Sequence, residues 1–294
     1  MDIKKYLEEK KQLIEASMNE LLPGINCLPR NLHRAMRYSI EAGGKRIRPI
    51  LAIASCNAVG GDDRDVIKAA CALEFIHTYS LIHDDLPAMD DDDYRRGKPT
   101  CHRAFNESTA ILAGDALLTA AFEVLSRSDL NNDPHILLEI IHDISHAAGS
   151  AGMVGGQQAD LEAEGKSIDL PNLEFIHTHK TGALILASVK VGAKLGGCSD
   201  SELQSLVKYG ETIGLAFQVA DDILDVTGTT TTLGKDAGSD EARGKATYPA
   251  LLGLKESKVR VVELLDLALA GISEFDDKAD PLRAIAKQIV NRSN

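Results

Sequence analysis

Several absences narrow the reading before any motif does. The sequence has no tryptophan, aromatic residues make up only 4%, and no stretch alternates apolar and polar residues as a half-buried strand does. Such a composition, rich in alanine, suits closely packed helices. The five cysteines, Cys27, Cys56, Cys71, Cys101 and Cys198, show no C-x-x-C spacing, which argues against a zinc site or a disulfide framework and fits a reducing compartment. Positive charge is short, with 32 Lys+Arg against 44 Asp+Glu and a net charge of −12. Bulk electrostatics therefore disfavour nucleic acid and anionic membranes, and any phosphate site must be built from local cations. Met1–Lys10 is charged and lacks a signal core, and no run approaches the ~18–20 apolar residues of a membrane span. The expectation is a soluble, cytoplasmic protein.

Apolar residues recur instead at helical spacing. The pattern predicts helices over 3–22, 30–41, an alanine-rich stretch from Ile50, 64–85, 107–127, 134–150, the residues after Gly152, 171–193, 200–226, 248–253, 256–274 and 279–291. Pro23-Gly24, Gly43-Gly44 and Pro87 punctuate them. The segment 64–85 is apolar nearly all round, which predicts a central position. Residues 227–247 form a Gly-, Thr-, Asp- and Lys-rich connection, longer than the usual ~4–6 residues and so a functional loop by expectation. With no repeat or linker, the 294 residues read as one all-α domain spanning 1–294, a large helical bundle.

Six aspartates fall within the ten positions 84–93, followed by Arg95 and Arg96. Two carboxylates ~4 Å apart repel by roughly 4 kcal/mol at a protein surface, so the cluster is comfortable only if splayed into water or holding cations. An acidic run alone reads as a solvated loop. A second cluster, Asp221-Asp222-Ile223-Leu224-Asp225, ends another apolar helix; Asp221 and Asp225 share a face, with Asp222 at its edge. Oxygen-only donors suit a hard cation, and Mg²⁺ shares its coordination shell with substrate phosphates. An EF-hand is excluded because Asp90–Asp93 lacks the required alternation and glycine. Local cations complete the pattern: Lys45 and Arg48 beside Gly43-Gly44, Arg95 and Arg96 after the aspartates, and Lys180, Lys235 and Lys245 at helix breaks or in the long connection.

Taken together these residues resemble the trans-isoprenyl diphosphate synthase family. Asp84-Asp85-x-x-x-x-Asp90 with Arg95-Arg96-Gly97 is similar to its first aspartate-rich motif, and Asp221-Asp222-x-x-Asp225 to its second. Gly43-Gly44-Lys45-Arg46-x-Arg48-Pro49, Glu74-x-x-His77, Gly156-Gln157-x-x-Asp160, Lys180-Thr181, Phe217-Gln218 and Gly244-Lys245-x-Thr247-Tyr248-Pro249 follow in family order, from about residue 25 to 255. Within that family the motifs resemble those of the bacterial farnesyl diphosphate synthases.

The resemblance implies a helical bundle around a deep central cavity, a homodimer, and Mg²⁺-dependent condensation of isopentenyl diphosphate with an allylic diphosphate. It implies Asp84, Asp85, Asp90 and Asp221 as Mg²⁺ ligands, assisted by Asp222 and Asp225. Arg95, Lys180, Lys235 and Lys245 would hold the allylic diphosphate. Thr181 and Gln218 would face its reacting carbon. Lys45, Arg48, His77 and Arg96 would hold isopentenyl diphosphate, although a histidine in an apolar helix is more often an ordinary core group. Gln157 and Asp160 read as structural. Tyr79 and Ser80, one turn before Asp84, would limit product length; a ring at Tyr79 implies the C15 product, with C20 or C10 as alternatives. A terpene cyclase would not need the Lys45/Arg48/His77 set, and a non-catalytic prenyl synthase subunit would be expected to have degenerate aspartate motifs.

Overall fold

The computed structural model describes residues 1–127, 130, 133–228 and 245–291. It is all-α. Helix α1 (Ile3–Leu21), α2 (Arg30–Ile40), α3 (Ile47–Ala58) and α4 (Asp63–Asp84) lead to the first aspartate cluster. After it come α5 (Cys101–Ala104), α6 (Glu107–Leu125), α7 (Pro134–Ala148), α8 (Met153–Ala163) and α9 (Leu170–Ile176). A π-segment (His177–Gly182) then leads into α10 (Ala183–Leu195) and the long α11 (Asp200–Thr227). Helices α12 (Tyr248–Leu252), α13 (Leu254–Gly271) and α14 (Asp280–Asn291) finish the chain.

Local chemistry sets these boundaries. Asp62 and Asp65 form a capping box at the start of α4, and Ser199 and Glu202 another at the start of α11. Gly253, at φ 86°, separates α12 from α13, a backbone state that costs glycine least. The core is one buried cluster reaching from Ile14 on α1 to Val290 on α14. As the all-round apolar pattern predicts, α4 is central, packed on α3 and α6, while α10 packs on α3 and α11.

Three features depart from the sequence expectation. Residues 171–193 are not one regular helix, because the π-segment inserts between α9 and α10. Two backbone approaches crowd it: Gly156 of α8 lies where any Cβ would fall 2.1 Å from the Lys180 backbone nitrogen, and a Cβ on Gly214 of α11 would fall 3.0 Å from Gly182 Cα. Second, a minimal ladder exists among the helices: Tyr94–Arg95 (β1) pairs antiparallel with Lys98–Pro99 (β2). Its two-residue turn, Arg96-Gly97, has positive φ at both positions (54° and 75°), the signature of a tight hairpin. Two residues are too few to show alternation. Third, α6 is long and apolar enough to span a membrane by length and composition alone, which no run was expected to be. It carries Asp115 at mid-length, and a Cβ on its Gly114 would meet the ring of His83 on α4 at 2.1 Å, the close packing of a core helix.

Candidate active site

The first aspartate cluster folds back on itself. Helix α4 ends at Asp84, and the Asp90 amide donates to the Asp84 carbonyl at 2.9 Å, returning Asp90 to the helix end as Pro87 allows. Asp85 is 3% exposed and accepts from Arg95, with Nε at 2.7 Å and Nη2 at 2.6 Å from its Oδ1. Arg95 is thus fixed beside the carboxylates by the hairpin that carries it; burial opposes its charge, but Asp85, with Asp92 and Asp84, outweighs that and holds it above its ordinary value. Burial, with Asp90 and Asp85 nearby, pushes the Asp84 carboxyl up to about 6 despite the opposing Lys180 and Arg95.

A chain of ion pairs runs from this cluster to α8 and the π-segment. Lys245, just before α12, stands 4.0 Å from Asp90 and 3.5 Å from Asp160. Lys180 of the π-segment donates to the same Asp160 oxygen at 2.7 Å. Burial would raise the Asp160 carboxyl, but Lys180 and Lys245 outweigh it and hold it below its ordinary value. Asp160 therefore organises both lysines, a role the sequence reading assigned to structure alone. Its spacing of four from Gly156, which seats α8 against Lys180, was the available signal. Lys235 lies outside the described residues.

A second cationic group gathers around His77, two turns before Asp84 on α4. Arg48, Arg96, Arg95 and Arg46 all act on His77; burial first, and then these four charges, hold its imidazole well below its ordinary range, so it is neutral at pH 7. Arg46 is buried, donates to Glu74 at 2.7 Å and to the Ile40 carbonyl at 2.6 Å, and anchors the start of α3. Arg96 hydrogen-bonds the Gly43 carbonyl, and its guanidinium lies against Gly44, where a Cβ would meet it at 2.6 Å. Lys45 beside them is exposed. Among the described residues the non-glycine positive-φ positions are Arg46, Asp91 and Arg96, all within these two motifs; such strain concentrates where function over-determines the backbone.

The second aspartate cluster divides. Asp221 is half-buried and its charge reaches Arg48. Asp222 and Asp225 are 4% and 3% exposed, so Asp222 is no edge group. Its Oδ2 accepts from His177 Nε2 at 3.0 Å and from the Tyr248 amide at 2.9 Å. Sequence reasoning missed His177 altogether and left Tyr248 as part of a motif. Thr181 and Gln218 are half-buried. Tyr79 is buried, its ring edge-on to His83 at 5.7 Å, whereas Ser80 shares the helical face of Asp84.

The donors fit a magnesium–diphosphate complex rather than a bare ion. Among the described residues no three Asp, Glu, His or Cys side chains converge closely enough to enclose a metal. Mg²⁺ needs no such cage when water and phosphate oxygens complete its shell. Arg48 Nε and Gln157 Oε1 are buried without hydrogen-bond partners, groups that ordinarily have one.

Comparison with known proteins gives the family. Residues 29–284 match the polyprenyl synthetase family. The chain is 49% identical to a geranylgeranyl diphosphate synthase of Cyanophora paradoxa over 290 residues, covering 98% of this chain and 96% of that one. It is 44% identical to a farnesyl diphosphate synthase of Geobacillus stearothermophilus over 295 residues, covering 100% and 99%. Among solved structures, an FPP/GFPP synthase from Zymomonas mobilis superposes with a TM-score of 0.88 at 42% identity, covering 98% of this chain and 99% of that one. The chain belongs to the polyprenyl synthetase family.

Proposed function

We propose that this trans-prenyltransferase condenses isopentenyl diphosphate with dimethylallyl or geranyl diphosphate to form farnesyl diphosphate, as one catalytic domain over 1–294. The observation that carries this reading is the gathering of cations on the carboxylates at the end of α4: Arg95 bonded to Asp85, Lys245 4.0 Å from Asp90, and Lys180 sharing Asp160 with Lys245, while Arg96 is held at Gly43-Gly44. Two anionic ligands would be seated at one acidic centre.

Asp84, Asp85, Asp90, Asp221 and Asp225 would hold Mg²⁺, which when bound neutralises the allylic diphosphate and helps it leave. Lys180, Lys245 and Arg95 supply fixed positive charge where the departing oxygen becomes negative. As the allylic C–O bond breaks, Thr181 and Gln218 present oxygens to the developing carbocation. Lys45, Arg48 and Arg96 orient isopentenyl diphosphate so that its double bond forms the new C–C bond. These three are cations and His77 is a poor base, so the proton lost in the last step goes to the released diphosphate.

Gly44→Ala tests the isopentenyl side: by pushing Arg96 aside it should raise KM for isopentenyl diphosphate about tenfold and leave KM for the allylic substrate within twofold. Product length is proposed to be set at Tyr79, whose ring is buried against His83 in the last turns of α4. Tyr79→Ala should shift product chromatograms from C15 toward C20; an unchanged C15 product would move the limit elsewhere. Geranylgeranyl diphosphate is the second reading, supported by the name of the Cyanophora relative. Five unpaired cysteines support a cytoplasmic location, and the exposed Ile111 and Leu112 on α6 support a homodimer.

Incubation with isopentenyl and dimethylallyl diphosphates and Mg²⁺ tests the whole. Consumption of isopentenyl diphosphate with release of diphosphate is expected, and excludes both a cyclase and a non-catalytic subunit. No turnover of that pair would overturn the proposal.

A further inference from the structure

We propose that Asp222 acts through His177 and Tyr248 as a positioning clamp for the allylic diphosphate site, instead of serving as a metal ligand. The inference rests on the function proposed above and assigns these three residues within that site. Asp222 Oδ2 accepts two hydrogen bonds from two different segments, the His177 imidazole at 3.0 Å and the Tyr248 amide at 2.9 Å. The two rings also stack, with centroids 5.8 Å apart and planes 22° apart. The Tyr248 hydroxyl donates to Glu174 on α9 at 2.8 Å, closing the assembly from below. All three corners are buried, at 4% (Asp222), 7% (His177) and 0% (Tyr248) exposure.

Sequence position gives the clamp its purpose. Asp222 adjoins Asp221; His177 precedes Lys180 by three residues within the π-segment; Tyr248 follows Lys245 by three. One carboxylate thus fixes three segments that come from α11, the π-segment and the start of α12. Lys180 and Lys245, each three residues from a partner of Asp222, meet at Asp160. Turning this carboxylate toward a cation would leave buried donors on two separate segments unpaired, whereas both bonds to Asp85 come from the single half-buried side chain of Arg95. The isopentenyl side, built on α3 and the hairpin, shares none of these bonds.

His177→Phe keeps a ring for stacking and removes the donor, while His177→Gln retains an N–H at similar reach. In steady-state kinetics the Phe variant should raise KM for the allylic diphosphate about tenfold and leave KM for isopentenyl diphosphate within twofold, and Gln should recover most of the loss. Asp222→Asn keeps the accepting oxygen, so its Mg²⁺ activation midpoint should stay within twofold of wild type, whereas Asp222→Ala should behave like His177→Phe. Amide hydrogen exchange of the ligand-free protein supplies an independent readout. Residues 177–182 and 245–252 should exchange faster together in His177→Phe and Asp222→Ala, but not in the Gln and Asn variants. Equal shifts in both KM values, a Mg²⁺ activation midpoint of Asp222→Asn displaced well beyond twofold, or faster exchange at 177–182 alone would overturn the clamp. Should the wild-type protein not consume isopentenyl diphosphate, the proposed function fails, while the exchange experiment still decides the coupling.

Discussion

Replacing Asp84 by asparagine should lower kcat/KM for Mg²⁺-dependent condensation by roughly 10²–10³-fold and at the same time raise the thermal midpoint of the metal-free protein. The first effect follows from removing a charge on which the diphosphate complex depends. The second follows from the state of that charge when no cation is present. Burial, with Asp90 and Asp85, pushes the Asp84 carboxyl up to about 6, against an ordinary 3.8. A carboxyl whose folded value lies above its unfolded one favours the folded state fully only below the unfolded value. That contribution is lost as pH rises through about 6, so at pH 8 the ionised carboxylate is a burden of about 1–3 kcal/mol. Asparagine cannot ionise. Its stabilisation in EDTA should be largest at pH 8, shrink between pH 6 and 4, and vanish below that. Thermal unfolding scans of both proteins across this range check it. A variant less stable than wild type at pH 8 would show that Asp84 is already well paired without metal.

Gly156→Ala should be nearly as damaging, without touching any charge. The new Cβ would fall 2.1 Å from Lys180 N, 2.6 Å from Lys180 Cα and 2.7 Å from the His179 carbonyl carbon. These are backbone atoms and cannot rotate away, so α8 must separate from the π-segment. Asp160, one turn further along α8, moves with it, and the 2.7 Å bond to Lys180 is lost. Overpacking of this kind costs about 1–3 kcal/mol, and a displacement near 1 Å at a catalytic group can cost ~10²-fold in rate. Calorimetry and kcat/KM should both report it. Gln158→Ala, which removes only an exposed bond to Glu162 on the same helix, is the control and should leave both within error.

Most of the architecture is legible in the residue pattern, and the reasons are local. Apolar periodicity marks the helices, and Pro87 predicts the fold-back that the Asp90–Asp84 backbone bond shows. The aspartates and basic residues of the motifs mark the segments that the fold brings together around Asp84 and Asp160. What the pattern conceals depends on tertiary approach. The π-segment arises where two glycines from other helices, Gly156 and Gly214, press on residues whose own propensities read as plain helix. Asp160 looks structural until Lys180 and Lys245 arrive from distant segments. Asp222 looks like its neighbours Asp221 and Asp225, because the donors that claim it, His177 and Tyr248, are 45 and 26 residues away in sequence. The hairpin at Arg96-Gly97 is too short to alternate at all.

The central claim is that the ends of α4 and α11 act on one shared diphosphate complex. A double-mutant cycle on Asp84→Asn and Asp221→Asn, measured as kcat/KM for Mg²⁺-dependent condensation, tests it most directly. Two carboxylates serving one complex should be strongly non-additive, with the double variant little worse than the more damaging single one. Losses that simply multiply would mean two independent sites, and would contradict the account.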